Sequence, residues 1–220
     1  MTTMRTYDDA CAAAHALDLI GERWALLVVR ELLLGPKRFT DLRAGLPGAS
    51  PNVLAQRLRE LERAGVVQRR KLPPPAASRV YELTDWGEEL EPVITQLGRW
   101  GARSPFRPHD AGLSVDSLIL SFRTMFDPRA VDGLRASYEL RLGEDRFCVV
   151  VDDGRFDVVR GAAYRPEAVI ETSSATLAAL VYEDRDLAEA LHSGDVKIEG
   201  DESAVESFLG LFPPPEPALG

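Results

Sequence analysis

Residues 50–83, SPNVLAQRLRELERAGVVQRRKLPPPAASRVYEL, read as a helix followed by a basic hairpin. Ser50 is a good N-cap, and Pro51 fits the first helical position, where a missing N–H costs nothing. Leu54, Leu58 and Leu61 recur at helical spacing, so one face packs inward. Asn52, Gln56, Arg59 and Arg63 share the opposite face, which carries long donors and no carboxylate. Gly65 suits the C-terminal cap; residues 66–72 and 79–83 then alternate like two strands joined by PPPAAS. Helix, hairpin and donors suited to base edges, in that order, are the pattern of a winged helix-turn-helix that reads double-stranded DNA.

Outward from that stretch, residues 8–20 (DDACAAAHALDLI) have helical periodicity with an acidic start, and Gly21 ends or bends the helix. Residues 22–34 are apolar nearly all round, the mark of a bundle's central helix stopped by Gly35-Pro36, with Trp24, Leu27, Val28 and Leu32 as core. A short helix over 40–46 and the turn Pro47-Gly48-Ala49 complete the helix-turn-helix. After the hairpin, Thr84 and Asp85 cap a long helix over 85–101 that Pro92 should kink. Residues 103–112 (RSPFRPHDAG) break periodicity and form the expected linker between a domain over 1–102 and one over 113–212.

The second half has a different rhythm. A helix over 115–126 precedes alternating strands over 134–142, 147–151 and 156–159, read as an antiparallel meander, with a fourth strand at 168–172. Two capped helices follow, opened at Ser174 and Asp186, then a strand at 196–198 and a last helix over 203–212. PPPEPALG, 213–220, reads as a frayed tail. The fold class is therefore α+β: a winged helix-turn-helix followed by an antiparallel sheet with helices.

Charge divides at the same place. The 220 residues carry a net charge of −9, but residues 1–108 hold 16 Lys and Arg against 13 Asp and Glu, whereas 109–220 hold 10 against 22. Local surface decides association at a Debye length of about 8 Å, so only the first half suits a polyanion. No stretch approaches the roughly 20 apolar residues of a membrane span, and the start MTTMRTYDD lacks signal-peptide regions, so a cytoplasmic protein without membrane contact is expected. Cys11 and Cys148 suggest no disulfide framework.

The run from Cys11 to Gly101, with LDLIGERW, LLLGPKRFTDLR, SPNVLAQRLRELERAGVV and YELTDWG, resembles the HxlR family of bacterial winged-helix regulators. That resemblance implies a homodimeric DNA-binding transcription factor whose flanking helices dimerise. Residues 113–212, through AVIETSSATLAALV and LAEALHSGDVKIEGDESAVESFLGLF, resemble a sterol-carrier-protein-like fold, which implies an apolar ligand.

For base readout, Asn52 and Gln56 suit adenine, and Arg57 and Arg59 guanine, each good pair discriminating by about 1–3 kcal/mol. Arg57 turns nearest the leucine stripe. Lys37 and Arg38, Ser50 at the recognition-helix start, and Lys71 and Arg79 at the wing tip suit phosphate oxygens. Arg69 and Lys71 fall on one side of the wing and Arg70 on the other. A charged solvated surface would carry the same residues.

Cys11 matches a cysteine through which some HxlR relatives sense oxidants or electrophiles; Ala12 departs from the proline often found next. A buried, inert cysteine among alanines is the competing reading. Cys11 and His15 have i,i+4 spacing, yet two ligands do not make a zinc site. No phosphate loop or nucleophile elbow appears, His15, His109 and His192 have no evident partners, and Asp152-Asp153 is a turn, so neither catalysis, cofactor nor metal is expected. Phe122, Tyr138, Leu140, Phe147, Phe156, Leu177 and Leu180 either line an effector cavity or fill a core, since both need the same residues. The rival functions are an apolar-ligand carrier whose winged helix only dimerises, and a Cys11 thiol sensor.

Overall fold

The computed structural model describes residues 6–106, 112–130 and 133–218, and divides into two compact units, 1–94 and 95–220. The linker expected over 103–112 lies partly outside the described residues, as does His109.

The first unit holds α1 (Ala12–Ile20), α2 (Ala25–Leu32), α3 (Phe39–Gly45), α4 (Pro51–Arg63), the hairpin β1 (Val67–Lys71) and β2 (Arg79–Leu83), and α5 (Asp85–Glu88). Leu54, Leu58 and Leu61 of α4 are fully buried with Val28, Val29 and Leu42. At about 1.5–3 kcal/mol for each side chain removed from water, this stripe fixes which face of α4 turns outward. Two starts differ from expectation. Helix α1 begins at Ala12, because Asp9 accepts the Cys11 N–H at 2.9 Å and holds the preceding turn. Helix α2 begins at Ala25, because Trp24 is left-handed (φ 78°) and cannot continue from residue 22. Leu27, expected in the core, is 38% exposed.

The helix expected over 85–101 is two helices. Glu89 and Leu90 separate α5 from α6 (Glu91–Ala102), and Pro92 stands in the first turn of α6, where it breaks no hydrogen bond, rather than at a kink. Leu90 and Ile94 pack against the first unit's core.

The second unit comprises the later part of α6, then α7 (Val115–Met125), β3 (Arg135–Leu142), β4 (Asp145–Asp152), β5 (Arg155–Arg160), β6 (Ala168–Thr172), α8 (Ser174–Tyr182), α9 (Leu187–His192), β7 (Val196–Gly200) and α10 (Glu202–Leu209). The sheet order is β5-β4-β3-β6-β7. Strands β3, β4 and β5 pair antiparallel, as does β6 with β7, but β3 and β6 run parallel, so the sheet is mixed rather than a pure meander. A hairpin turn joins antiparallel neighbours, whereas the long connection from β5 to β6 permits a parallel pair. Arg99 donates to the Thr124 carbonyl at 2.5 and 3.0 Å. The tail is tied down, not frayed: the Ala218 N–H donates to the Arg103 carbonyl at 2.8 Å, and Arg103 Nε to the Glu216 carbonyl at 3.0 Å.

Candidate nucleic-acid interface

Ser50 caps α4 by accepting the Val53 N–H at 3.4 Å, and from that start Asn52, Gln56, Arg59 and Arg63 are exposed. Arg63 folds back, its Nε donating to the Arg59 carbonyl at 3.2 Å, which leaves the N-terminal half of the helix with the outward donors. Gln56 Nε2 lies 3.0 Å from Glu60 Oε1. A carboxylate therefore reaches this face, and the i,i+4 spacing was the available signal. An exposed pair of this kind is worth only about 0.2–0.5 kcal/mol, so the amide is readily released.

Arg57 is not on the exposed face with Asn52, Gln56 and Arg59. It is 7% exposed, ion-paired with Glu60 and, at 3.4 Å, with Glu22 from the segment before α2. One helical turn from Leu54, it turns inward with the leucines and clamps α4 to its own bundle. Glu22 is distant in sequence, so nothing in the α4 pattern announces it.

Lys37 is also redirected. Its Nζ is 2.7 Å from Glu31 Oε2, a fully buried carboxylate that also accepts from Arg30 Nη2 at 2.9 Å. Desolvation of Glu31 makes this pair costly to open, so the ammonium is held toward the interior in the DNA-free protein. Arg38 is exposed, with its backbone N–H held by Asp41 at the start of α3.

On the wing, Arg69 pairs with Glu62 and lies 5.1 Å from the Tyr81 ring centroid, and Arg70 pairs with Glu82. Lys71 and Arg79 stand directly opposite each other at the tip, both exposed, with no acidic partner among the described residues. The wing thus neutralises its base and leaves cationic the end that projects.

Cys11 is exposed at the N-cap of α1, not buried among the alanines. Hydrogen bonding from the Ala14 and then the Ala13 backbone N–H holds its thiol below the usual range. On the same unit, Tyr7 N–H donates to Asp18 at 2.9 Å, and a cavity of about 500 Å³ is lined by Tyr7, Leu17, Asp18, Glu22 and Arg23. His15 is exposed, and among the described residues no group of three His, Cys, Asp or Glu is placed to hold a metal ion.

In the second unit Phe122, Tyr138, Leu140, Phe147, Leu177 and Leu180 are buried and Phe156 is half-buried. Phe122, Phe126, Tyr138, Phe156, Phe208 and Phe212 form a continuous cluster, with neighbouring centroids 4.5–5.7 Å apart. The Tyr138 hydroxyl is buried with no hydrogen-bond partner among the described residues. Burial, reinforced by the Glu167 and Asp201 carboxylates, pushes that phenol up to about 12. A cavity of about 380 Å³ on this unit is polar instead, lined by Arg141, Arg146, Glu171, Ser173, Asp195 and Lys197. No helix among the described residues is long and apolar enough to cross a membrane.

A recognition helix with outward donors, a cationic wing tip and a separate sheet unit define a two-part winged helix-turn-helix protein. Residues 19–107 match the HxlR-like helix-turn-helix family, and residues 124–213 the SCP-2 sterol transfer family. The uncharacterized HTH-type transcriptional regulator YvaP of Bacillus subtilis is 41% identical over 85 residues, which cover 39% of this chain and 79% of that protein. The HTH-type transcriptional regulator YodB of the same organism is 38% identical over 85 residues, covering 39% and 76%. The solved reduced form of YodB is 33% identical, with a TM-score of 0.40, and the match covers 44% of this chain and 97% of that one. The chain belongs to the HxlR-like helix-turn-helix family.

Proposed function

We propose that this protein is a cytoplasmic, homodimeric transcriptional regulator, not an enzyme, that binds a pseudo-palindromic operator in double-stranded DNA. The observation that carries the reading is the exposure of Asn52, Gln56 and Arg59 on one face of a helix whose opposite face is locked by buried leucines, beside a wing tip cationic at Lys71 and Arg79. Asn and Gln bond bidentately to adenine and Arg to guanine; Arg38, Ser50, Lys71 and Arg79 hold register on phosphates. Second copies meet through α6, where Val93, Leu97 and Trp100 are 49%, 48% and 75% exposed at i, i+4 and i+7. Selection of duplexes from a random pool tests the whole reading. Recovered sequences carry two symmetric half-sites spaced by about one helical turn or a multiple of it. Recovery without symmetry contradicts the dimer, and no enrichment contradicts the regulator.

The second unit is the regulatory element and takes an apolar effector bearing one hydrogen-bonding group. The unpartnered Tyr138 hydroxyl supports this, because a buried orphan of this type costs about 1–3 kcal/mol that a ligand's polar atom would recover. The effector enters by parting the aromatic cluster around Phe122 and Phe208. It regulates by binding the two dimer geometries unequally, and α6, which runs across the division between the units, is the transmitter. Operator affinity that is the same with and without every apolar compound bound by the protein would sink this coupling.

A second input rests on Cys11, whose exposure and lowered thiol favour reaction with oxidants or electrophiles. Cys11→Ser abolishes a response to such reagents if this input operates, and leaves the response intact if it does not.

A further inference from the structure

Three parts of the DNA-reading surface meet at one buried carboxylate. Glu31, fully buried on α2, holds Lys37 Nζ at 2.7 Å and Arg30 Nη2 at 2.9 Å. It also closes on the end of α3, where a Cβ built at Gly45 would lie 2.2 Å from Glu31 Oε2. Any larger residue there would force the carboxylate to shift.

The backbone of Lys37 does a second job. Its N–H donates to the Tyr81 carbonyl at 2.9 Å and its carbonyl accepts the Tyr81 N–H at 2.8 Å, so it is a one-residue third strand on the wing. Tyr81 pairs with Arg69 in the hairpin, two residues from the Lys71–Arg79 pair at the tip. The next residue, Arg38, precedes α3 and has its N–H held by Asp41. One residue therefore ties the wing edge through its backbone and α2 through its side chain, immediately before the start of α3.

We propose that Lys37 is a positioning residue: anchored by buried Glu31, it sets where the wing tip stands relative to the recognition helix, and it does not contact DNA. The proposal deepens the DNA-binding reading and rests on it for its consequence, but its structural half stands without DNA. Breaking the ion pair removes the side-chain anchor of Lys37, while Arg30 still holds Glu31, and frees the Lys37–Tyr81 bridge, so the wing loses its reference while the leucine core of α4 stays packed.

Two measurements on Lys37→Met, Glu31→Gln and the double variant test it. In the DNA-free full-length protein, hydrogen exchange at the Lys37 and Tyr81 amides rises about tenfold or more in each single variant, while the Leu54 and Leu58 amides keep their protection. Unchanged exchange at Lys37 and Tyr81, or equal loss of protection throughout the unit, overturns the proposal. On a duplex selected with the unsubstituted protein, each single variant binds about tenfold more weakly, the double no more weakly than the worse single, and the slope of log affinity against log salt is unchanged. A slope smaller by about 0.9 for Lys37→Met makes Lys37 a phosphate contact and overturns the positioning role. If the unsubstituted protein selects no duplex, the DNA-binding reading fails while the exchange experiment still decides the ion pair.

Discussion

Two arginines two positions apart on α4 have opposite duties, and burial decides which. Arg57 is clamped by Glu22 and Glu60 beneath the surface, whereas Arg59 is exposed with no acidic partner among the described residues. Arg57→Ala should lower unfolding free energy by about 1–3 kcal/mol, because it strips a hydrogen-bonded charge from its partners. Arg59→Ala should change stability by under about 0.5 kcal/mol while relaxing discrimination at one base pair by about 1–3 kcal/mol. Denaturant melts with competition binding separate the two; comparable stability loss in both would contradict the assignment. At this scale sequence reading goes only part way. Arg57's angle beside the leucine stripe is visible in the i,i+3 spacing, but its partner Glu22 lies 35 positions away, and Lys37's partner Glu31 looks in sequence like one more charge on an apolar helix. Spacing reports which way a residue points along its own helix, not what it meets on another.

Elements were more legible than contacts. Alternation and capping place α4, the hairpin and most of the second unit's strands and helices, since Ser50, Thr84 and Asp186 each accept a backbone N–H at a helix start, whereas the caps Ser173 and Asp201 lie one or two residues before the starts expected at Ser174 and Ser203. What periodicity does not carry is a local backbone event. The left-handed Trp24, the break at Glu89 and Leu90, and the parallel β3–β6 pairing all arise from tertiary packing. Helix α6 bears on the proposed assembly: it contains no buried residue, and Val93, Leu97 and Trp100 lie open. If α6 carries the proposed dimer, Leu97→Glu should give a monomer in sedimentation at micromolar protein without lowering the melting temperature of the core. A dimer that persists unchanged would move the interface off α6.

For the whole molecule, the division of charge separates a half suited to polyanions from an acidic half suited to other work. Two buried groups set the pH window. The Tyr138 phenol sits at about 12, above the ordinary value near 10, so it binds its proton more tightly folded than unfolded. Its contribution is complete below about pH 10 and disappears between about 10 and 12 as the unfolded chain ionises first. Glu139 goes the other way: hydrogen bonds from Arg141 and the Ala163 N–H hold its carboxyl below the usual range. That contribution is present above the ordinary carboxylate range and is lost as pH falls through the depressed value. Tyr138→Phe should therefore flatten the alkaline limb of a stability–pH profile and leave the acid limb unchanged; an unaltered alkaline limb would contradict the buried phenol.

The central claim is that the exposed face of α4 reads DNA sequence. Fluorescence anisotropy on a duplex selected by the full-length protein, and on a scrambled duplex of equal length, tests it most directly when repeated with Asn52, Gln56 and Arg59 all replaced by alanine. The expected result is a preference for the selected duplex of about a hundredfold or more in the unsubstituted protein, collapsing in the triple variant to the affinity for the scrambled one, with Lys71 and Arg79 sustaining the salt-dependent remainder. Full preference retained by the triple variant would contradict it.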